Sequence, residues 1–328
     1  MGGTAYIDRK DAELRLDGRA LAVYIHGERD GTIPLTPIDR LVLVGQLTLH
    51  TGVLHRLAEE DIAVVLLSGK RQSFRGRLVG RLHRHGRLRV AQYRQSLGPL
   101  ALQLAREWIG RKVEGHVTVL RDIAERRVSV RLAARRARDV LEKLDEPIST
   151  ANSMDRLRGL EGAAAAAYFQ ALPSAFPDSL GFAGRNRRPP MDPVNALLSL
   201  TYTLVHWEWV RECEMIGLDP VIGFFHEFEY GRESLACDLM EFDRPWIDRW
   251  VWELFAERTF SARDFSSEQE RPGCYLKKAG RSRYYQAYEV WMAPRRSRMR
   301  QEVEHLARRL LDGEDPLSVR ESQAPDSP

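Results

Sequence analysis

The sequence predicts an α+β protein of two domains, a small β-rich N-terminal domain over residues 1–92 and a larger all-α domain over residues 98–311, joined by a linker at 93–97. Three observations predict this division. The 328 residues suffice for two hydrophobic cores. Short runs rich in Val, Ile, Leu and Thr, bounded by Gly, Asp and Pro, fill the first ninety or so residues. From about Ser96 onwards, apolar residues recur at the helical period instead.

Strands of the N-terminal domain are predicted one by one from these runs. AELRLDGRALAVYI alternates around Asp17-Gly18, a pair typical of a two-residue hairpin turn. The other strand candidates are TAYIDR, GTIPL, RLVLVG, IAVVLLS and FRGRLVG. Between two of them, LTLHTGVLHRLAEE has helical spacing, so we expect one helix packed on the sheet.

The helical domain begins with LALQLAREWIGRKVEGHVTVLRDIA, which has the period of a long amphipathic helix. Asp192-Pro193 is a typical helix start, with a capping side chain followed by proline at the first helical position. The helix that follows, VNALLSLTYTLVHWEWVREC, is apolar on nearly every side and is predicted to be the buried centre of the domain. The polar, Pro-containing tail over 312–328 is expected to be disordered.

Composition excludes several classes of protein. A hydrophobic fraction of 43% and a charged fraction of 29% are ordinary for a globular protein in water. There is no run of eighteen apolar residues and no signal peptide pattern, so we expect no membrane association and a cytoplasmic location. Three widely spaced cysteines, Cys213, Cys237 and Cys274, predict neither disulfides nor a zinc site. Neither GxxxxGK[ST] nor a GxGxxG after a strand occurs, so ATP-driven and NAD-dependent chemistry have no support.

The segment 223–245, GFFHEFEYGRESLACDLMEFDRP, has the composition of most of a metal site. Ser234 is a candidate cap for a helix on which Asp238 and Glu241, three residues apart, are neighbours. Glycines on either side of His226 supply turns that fold it back toward these carboxylates. One imidazole with carboxylate oxygens and open positions suits Mn²⁺ or Mg²⁺ better than structural zinc.

Each part of this pattern also has an ordinary structural interpretation. A histidine after Gly-Phe-Phe is often a core residue, and an Asp/Glu pair at this spacing is often a solvated helix face. A third element, LEGAAAAAYF at 160–169, places Glu161 at the start of an Ala-rich segment with Tyr168 on the same face. An acid in a first helical turn also complements the helix dipole, an explanation as good as catalysis at this point.

Positive charge is concentrated, although the net charge is only +4. Nine Lys or Arg residues and no acid lie between Lys70 and Arg94, and further basic stretches run over 121–138, 277–283 and 295–300. A single run of this kind is commonly a solvated face. Four runs around an acidic site favour a polyanionic partner, since carboxylates repel phosphates unless cations hold them.

Three motifs occur together in this order: LEGAAAAAYF, RRPPMDPVNALLSLTY at 187–202 and GFFHEFEYGRESLACDLMEFDRP. In order and spacing they resemble the CRISPR-associated integrase, CRISPR-associated protein one, which catalyses spacer acquisition. The resemblance extends to IPLTPIDRLVLVG at 33–45, LHRLAEEDIAVVLLSGKRQSFRGRL at 54–78, RVAQY at 89–93 and GCYLKKAGRSRYYQAYE at 273–289. It therefore covers nearly the whole chain.

The resemblance implies that Glu161, His226 and Glu241 are catalytic and bind Mg²⁺ or Mn²⁺, with Asp238 as an auxiliary ligand or outer acceptor. It implies an endonuclease or integrase that inserts prespacer DNA into a CRISPR repeat array by attack of a 3′-hydroxyl, a step of CRISPR adaptation in antiviral defence. Cations in and beside the motifs are candidates for contacting DNA: Arg187, Arg188, Arg232, Arg244, Lys277, Lys278, Arg295 and Arg296.

Double-stranded DNA, both prespacer and repeat, is thus an expected partner. The resemblance further implies a homodimer formed through the β-rich domains, and a small companion protein of the adaptation complex that bridges two such dimers. Two other functions stay open at the level of sequence. One is a stand-alone metal-dependent nuclease on branched or single-stranded substrates, and the other is a non-catalytic scaffold that binds nucleic acid.

Overall fold

The computed structural model describes residues 2–69, 74–78, 85–186, 189–267 and 273–312. Strands dominate the first part of the chain, as predicted. Its elements are β1 (Gly3–Ile7), β2 (Ala12–Asp17), β3 (Ala20–Ile25), β4 (Glu28–Pro34), β5 (Ile38–Val44), β6 (Leu47–Leu49), α1 (Thr51–Glu59), β7 (Ala63–Leu67) and β8 (Phe74–Leu78). The leucines before α1, expected to be helical, form the short strand β6 instead.

Two four-stranded sheets are formed, in the orders β1-β5-β7-β8 and β4-β3-β2-β6. Strand β5 shows how the first sheet connects the two halves of the molecule. Leu41 and Leu43 belong to the small core shared with the second sheet, whereas Val42 and Val44 belong to the core of the helical part. Because alternate residues of a strand point to opposite faces, this sheet is covered on both sides.

The hairpin between β2 and β3 lies one residue later than the sequence suggests. Asp17 pairs with Ala20, so the turn consists of Gly18 and Arg19. Gly18 has φ +59°, in the left-handed region that glycine adopts without a Cβ penalty.

The mostly helical part of the chain begins with α2 at Gly86, so residues 93–96 of the expected linker are the end of α2. The later elements are α2 (Gly86–Ser96), α3 (Pro99–Arg126), α4 (Arg131–Glu142), α5 (Asp145–Ser149), α6 (Met154–Ala171), α7 (Pro193–Ile216), α8 (Ser234–Met240), α9 (Arg244–Ala256), β9 (Phe265–Ser267), β10 (Cys274–Leu276) and α10 (Lys278–Asp312). Residues 313–328, most of the tail expected to be disordered, lie outside the described residues.

Helix α7 is the centre of the helical part, and most of its residues are buried, as its composition predicts. The Asp192 side chain accepts a hydrogen bond from the Asn195 backbone N–H at 2.8 Å, and Pro193 is the first helical residue. The predicted cap is therefore confirmed. None of the three cysteines, all of which lie within the described residues, forms a disulfide.

A buried ion network joins the first sheet to the helices. Glu208 on α7 lies 2.9 Å from Arg40 Nε of β5 and 2.8 Å from Arg296 Nη2 of α10. Arg296 also donates to Glu289 on its own helix. Within the ranges that the structure describes, no helix has both the length and the apolar character needed to cross a membrane.

Candidate active site

Glu161 lies in the interior of α6, not in its first turn. The helix begins seven residues earlier at Met154, where the Ser153 hydroxyl caps it by accepting the Arg156 N–H at 3.3 Å. The helix-dipole explanation for this acid is therefore wrong, because that effect is confined to the first turn. The Glu161 side chain is about one quarter exposed, at 24%.

His226 is held by a loop that folds back onto α8. Gly223 makes the close approach possible, since a Cβ there would lie 2.7 Å from Asp238 Oδ2 and 2.8 Å from the Ser234 carbonyl carbon. Ser234 is the first residue of α8, and its hydroxyl donates to the Glu227 carbonyl at 2.9 Å instead of capping the helix.

Asp238 is fully buried and faces this loop. Its two oxygens accept hydrogen bonds from the backbone N–H groups of Phe224 at 2.6 Å, Phe225 at 3.0 Å and His226 at 2.9 Å. Oδ1 also lies 2.6 Å from His226 Nδ1. An anionic acceptor at Nδ1 places the imidazole proton there and leaves the Nε2 lone pair available. Asp238 therefore orients the histidine, and its own oxygens are occupied.

Glu241 follows α8 and is buried between two cations. Arg244 Nε donates to its Oε1 at 2.7 Å, and Lys112 Nζ lies 2.6 Å from its Oε2. Burial alone would raise the pKa of this carboxyl group, but the charges of Arg244 and Lys112 outweigh it and hold the pKa well below its usual range. Glu241 is consequently anionic at neutral pH.

Lys112, on α3, brings the separate elements together. Its ammonium group pairs with Glu161 Oε1 as well as with Glu241, while His226 Nε2 lies 3.9 Å from Glu241 Oε1. The three side chains singled out in the sequence therefore line one pocket. In the described part of the chain, no three His, Cys, Asp or Glu side chains stand close enough to hold a metal ion. Two carboxylates sharing one ammonium group nevertheless define a position for a cation.

The walls of the pocket are aromatic and basic. Its described lining is Lys112, His116, Glu161, Ala165, Phe169, Arg185, Tyr202, Phe225, His226, Glu241, Arg244 and Asp248. The guanidinium carbons of Arg185 and Arg244 each lie 5.2 Å from the centre of the Tyr202 ring. The Tyr202 hydroxyl donates to Asp248 Oδ1 at 2.5 Å. Burial raises the pKa of Asp248 to about 6.

His116, one of the lining residues, is supported from behind by Tyr168. Their rings stack with centroids 3.9 Å apart and both are buried. Burial, helped by the charge of Lys112, lowers the pKa of His116 well below its usual value, so this imidazole is neutral at physiological pH.

The cations expected to contact DNA fall into several environments. Lys277 and Lys278 are exposed, Arg232 pairs with Glu229 at 3.1 Å, and Arg295 lies over the Trp291 ring. Arg187 and Arg188 lie outside the described residues.

One of these expectations, that Arg296 guides an incoming duplex, requires correction. Arg296 is 4% exposed and engaged with Glu208 and Glu289, so it cannot guide a duplex. Arg244, expected near the metal site, lines the pocket, where its guanidinium group donates to the buried Glu241 carboxylate.

Sequence reasoning missed the residues that complete the pocket: Lys112, Arg185, Tyr202 and Asp248. Lys112 did carry a detectable pattern, because it follows Trp108 by one helical turn, on a stripe of α3 that is mostly apolar. The other three gave no comparable local pattern, since their roles depend on contacts between α7, α9 and the loop before α7.

The fold and the pocket together define a class: two-part α+β proteins whose helical half carries a carboxylate and imidazole site walled by arginines. The chain belongs to the Cas1 family, since the family model described as CRISPR associated protein Cas1 matches residues 5–290. It is 47% identical over 316 residues to the CRISPR-associated endonuclease Cas1 1 of Thermodesulfovibrio yellowstonii, covering 96% of this chain and 99% of that protein. With the CRISPR-associated endonuclease Cas1 2 of Rhodospirillum rubrum it shares 36% identity over 275 residues, 80% of this chain and 78% of that one.

Solved structures show the same fold. A Cas1 protein from Thermotoga maritima superposes with a TM-score of 0.82 at 23% identity, covering 96% of this chain and 98% of that chain. A casposase bound to integration product gives a TM-score of 0.80 at 20% identity, covering 96% and 92%. The Cas1 resemblance noted in the sequence and the predicted fold class are both confirmed.

Proposed function

We propose that this protein is a divalent-metal-dependent DNA integrase that joins the 3′-hydroxyl ends of prespacer DNA to a CRISPR repeat. Two of its curated relatives are called endonucleases, and a structural neighbour, the casposase, is bound to an integration product. The observation that carries the proposal is the placement of Glu161 and Glu241 around one cation position with His226 beside them.

Glu161, His226 and Glu241 would hold the Mg²⁺ or Mn²⁺ ion. The donor set fits, because two carboxylates that already share a cation offer the oxygen ligands that these ions prefer. When bound, such an ion favours ionisation of an attacking hydroxyl and takes up charge on nonbridging phosphate oxygens.

The side chains of this protein would prepare the site for that step. Asp238 keeps the Nε2 lone pair of His226 directed away from the loop. Arg244 fixes the Glu241 carboxylate and keeps it anionic. In the reaction, the 3′-oxygen of one strand forms a new bond to phosphorus while the existing P–O3′ bond breaks, and the released 3′-oxygen takes up a proton. The number of phosphodiester bonds is conserved, so no nucleotide cofactor is needed.

Water in place of the 3′-hydroxyl would turn the same site into a nuclease. The name endonuclease that the curated relatives carry favours this as the second candidate activity. In either case the Arg185 and Arg244 charges on the pocket wall would hold substrate phosphates.

We further propose that the protein acts as a homodimer through its β-rich N-terminal domain, divided from the catalytic domain near residues 93–97, with a small companion protein bridging two dimers. The support is structural likeness to a chain of a complex that contains Cas1 and Cas2, at a TM-score of 0.81 and 21% identity. A further neighbour is a Cas1–DNA complex, with a TM-score of 0.60.

One assay separates the candidate activities. The protein is incubated with Mn²⁺ or Mg²⁺, a labelled duplex with free 3′-hydroxyls and a supercoiled plasmid carrying a repeat, with and without the companion protein. Joined product supports integration, whereas released fragments without joining support the nuclease. Binding without any strand change supports a scaffold.

Variants test the site itself. Strand transfer should fall strongly in each of three variants, Glu161→Gln, His226→Ala and Glu241→Gln. The loss should exceed the roughly 10–100-fold that follows when a residue hydrogen-bonded to a metal ligand is removed. DNA affinity should largely persist, because lysines and arginines contribute most of it. Asp155→Asn is the matched control, since its 93% exposed side chain lies on the same helix as Glu161. Full activity of His226→Ala would exclude it as a ligand.

A further inference from the structure

Lys112 occupies the cation position of the pocket with its own side chain. Its side chain is 6% exposed, and its ammonium group pairs with Glu161 on α6 and with Glu241 after α8. A lysine on a core-facing stripe usually directs its charge out to solvent along its flexible stem. This one instead places the charge between the two carboxylates that line the candidate metal site.

The charges around Lys112 determine whether the lysine and a metal ion can lie between the two carboxylates at the same time. Glu161 and Glu241 carry two negative charges, and Lys112 and Arg244 carry two positive ones, so the four groups are neutral together. A divalent cation placed between the carboxylates while Lys112 stayed there would meet a like charge at contact distance in a poorly solvated pocket, where repulsion is strong. The ion and the ammonium group therefore compete for one position.

We propose that Lys112 is a built-in competitor of the metal ion: it holds the Glu161 and Glu241 carboxylates together in the metal-free protein and is displaced when the ion enters. This inference rests on the proposed function, which supplies the ion. Lys112 is then a positioning residue, since it acts through the carboxylates.

Displacement of Lys112 by the metal ion would also change the affinity of the pocket for DNA. A buried ammonium group that has lost its carboxylate partners needs another anion. The pocket is where a substrate phosphate arrives, and the four-carbon stem of lysine reaches other points of the same pocket. A bound phosphate therefore stabilises the displaced lysine, so DNA raises the affinity for metal and, by linkage, metal raises the affinity for DNA.

The experiment measures Mn²⁺ binding by electron paramagnetic resonance, which reports free Mn²⁺, with and without a duplex whose 3′ ends are dideoxy and cannot react. Lys112→Met keeps the length of the side chain and removes its charge. Without DNA, we expect this variant to bind Mn²⁺ about tenfold more tightly or better than wild type, since one unit of opposing charge is gone. The gain in Mn²⁺ affinity on adding DNA should be smaller in the variant.

Lys143→Met is the charge-matched control, because Lys143 is exposed at the end of α4. It should leave the Mn²⁺ affinity unchanged. Equal or weaker Mn²⁺ binding by Lys112→Met would overturn the proposed competition, and an undiminished effect of DNA in this variant would overturn the proposed linkage to DNA.

Failure of the metal site and failure of this inference give different results. If Glu161→Gln does not weaken Mn²⁺ binding, the proposed site is wrong regardless of Lys112. If Glu161→Gln abolishes binding but Lys112→Met does not strengthen it, only the competition is refuted. Lys112→Gln, whose amide still donates to a carboxylate, provides a second variant. Should neither variant fold in chelator, recovery of the native circular dichroism spectrum with Mn²⁺ supports the inference, and its failure to recover contradicts it.

Discussion

Substitution of Asp238 by asparagine should destabilise the protein and misplace His226, although the new side chain has the same shape. The carboxylate accepts from three backbone N–H groups and from His226 Nδ1, at 2.6–3.0 Å. Asparagine retains one acceptor oxygen and turns the other position into a donor. Two of the four N–H groups then lose their acceptor inside the protein.

The size of the effect follows from that count. Each buried donor left without a partner costs about 1–3 kcal/mol, so Asp238→Asn should lower the free energy of unfolding by about 2–6 kcal/mol. Chemical denaturation followed by circular dichroism measures this difference. Asp155→Asn, at an exposed position, should stay within about 0.5 kcal/mol of wild type.

Strand transfer by Asp238→Asn should fall about 10–100-fold, since the histidine loses the acceptor that sets its tautomer and orientation. Glu161→Gln provides the contrast. The Glu161 carboxylate is partly exposed and contributes little to the stability of the fold, so this variant should lose activity with little change in the free energy of unfolding. An Asp238→Asn protein as stable as wild type would refute the hydrogen-bonding scheme around the loop. Equal loss of stability in Asp238→Asn and Glu161→Gln would also refute it.

Three further predictions concern the structure around the site. Arg296→Met should lower the free energy of unfolding by about 3–5 kcal/mol, because it removes one partner of a buried charge network with Glu208, whereas exposed Lys278→Met should be nearly neutral in the same denaturation assay. Gly223→Ala should cost about 1–3 kcal/mol and reduce strand transfer, because its Cβ would lie 2.7 Å from an oxygen of Asp238; wild-type stability would contradict the close approach. Asp248 is protonated more readily in the folded protein, with a pKa of about 6 against an ordinary 3.8, so its contribution to stability increases as pH falls from about 7 to about 4, by up to about 3 kcal/mol. Asp248→Asn should remove this part of the pH dependence. If the free energy of unfolding changed between pH 7 and pH 5 by the same amount in the variant as in wild type, the buried position of the Asp248 carboxyl group would be contradicted.

The local sequence pattern was sufficient to predict the structure where a residue's environment is set by its neighbours in the sequence. The alternation of β5, with Leu41 and Leu43 on one face and Val42 and Val44 on the other, follows from a run of apolar residues buried on both sides. The Asp192 cap follows equally from two adjacent residues. The boundaries of the elements were predicted less well. The β2–β3 turn lies one residue later than the sequence suggests, and α6 begins seven residues before Glu161.

Arg296 shows the limit of reading charge runs. RRSRMR at 295–300 suggests an exposed basic face, yet on a helix these residues point in different directions. Arg296 points inward, where Glu208 supplies a buried carboxylate from α7, 88 residues away. Neither partner predicts the other from sequence, because the pair forms only when α7 and α10 pack.

The same reasoning explains why two candidate ligands are apparent in the sequence while the cation between them is not. Glu161 and Glu241 stand in motifs, but Lys112 is 49 residues from one of them and stands in a stripe that favours burial of its stem with the charge in solvent. Its position becomes meaningful only through α3, which packs against α6 and α9 and carries the lysine between the two carboxylates. Without Lys112 the pocket would carry one positive charge fewer, so its carboxylates would repel a polyanion more strongly before any metal arrived. With Lys112 in place, the charges of Glu161, Glu241, Lys112 and Arg244 sum to zero. In the proposed competition, this lets DNA approach, and the carboxylates become available to an ion when a DNA phosphate pairs with the lysine.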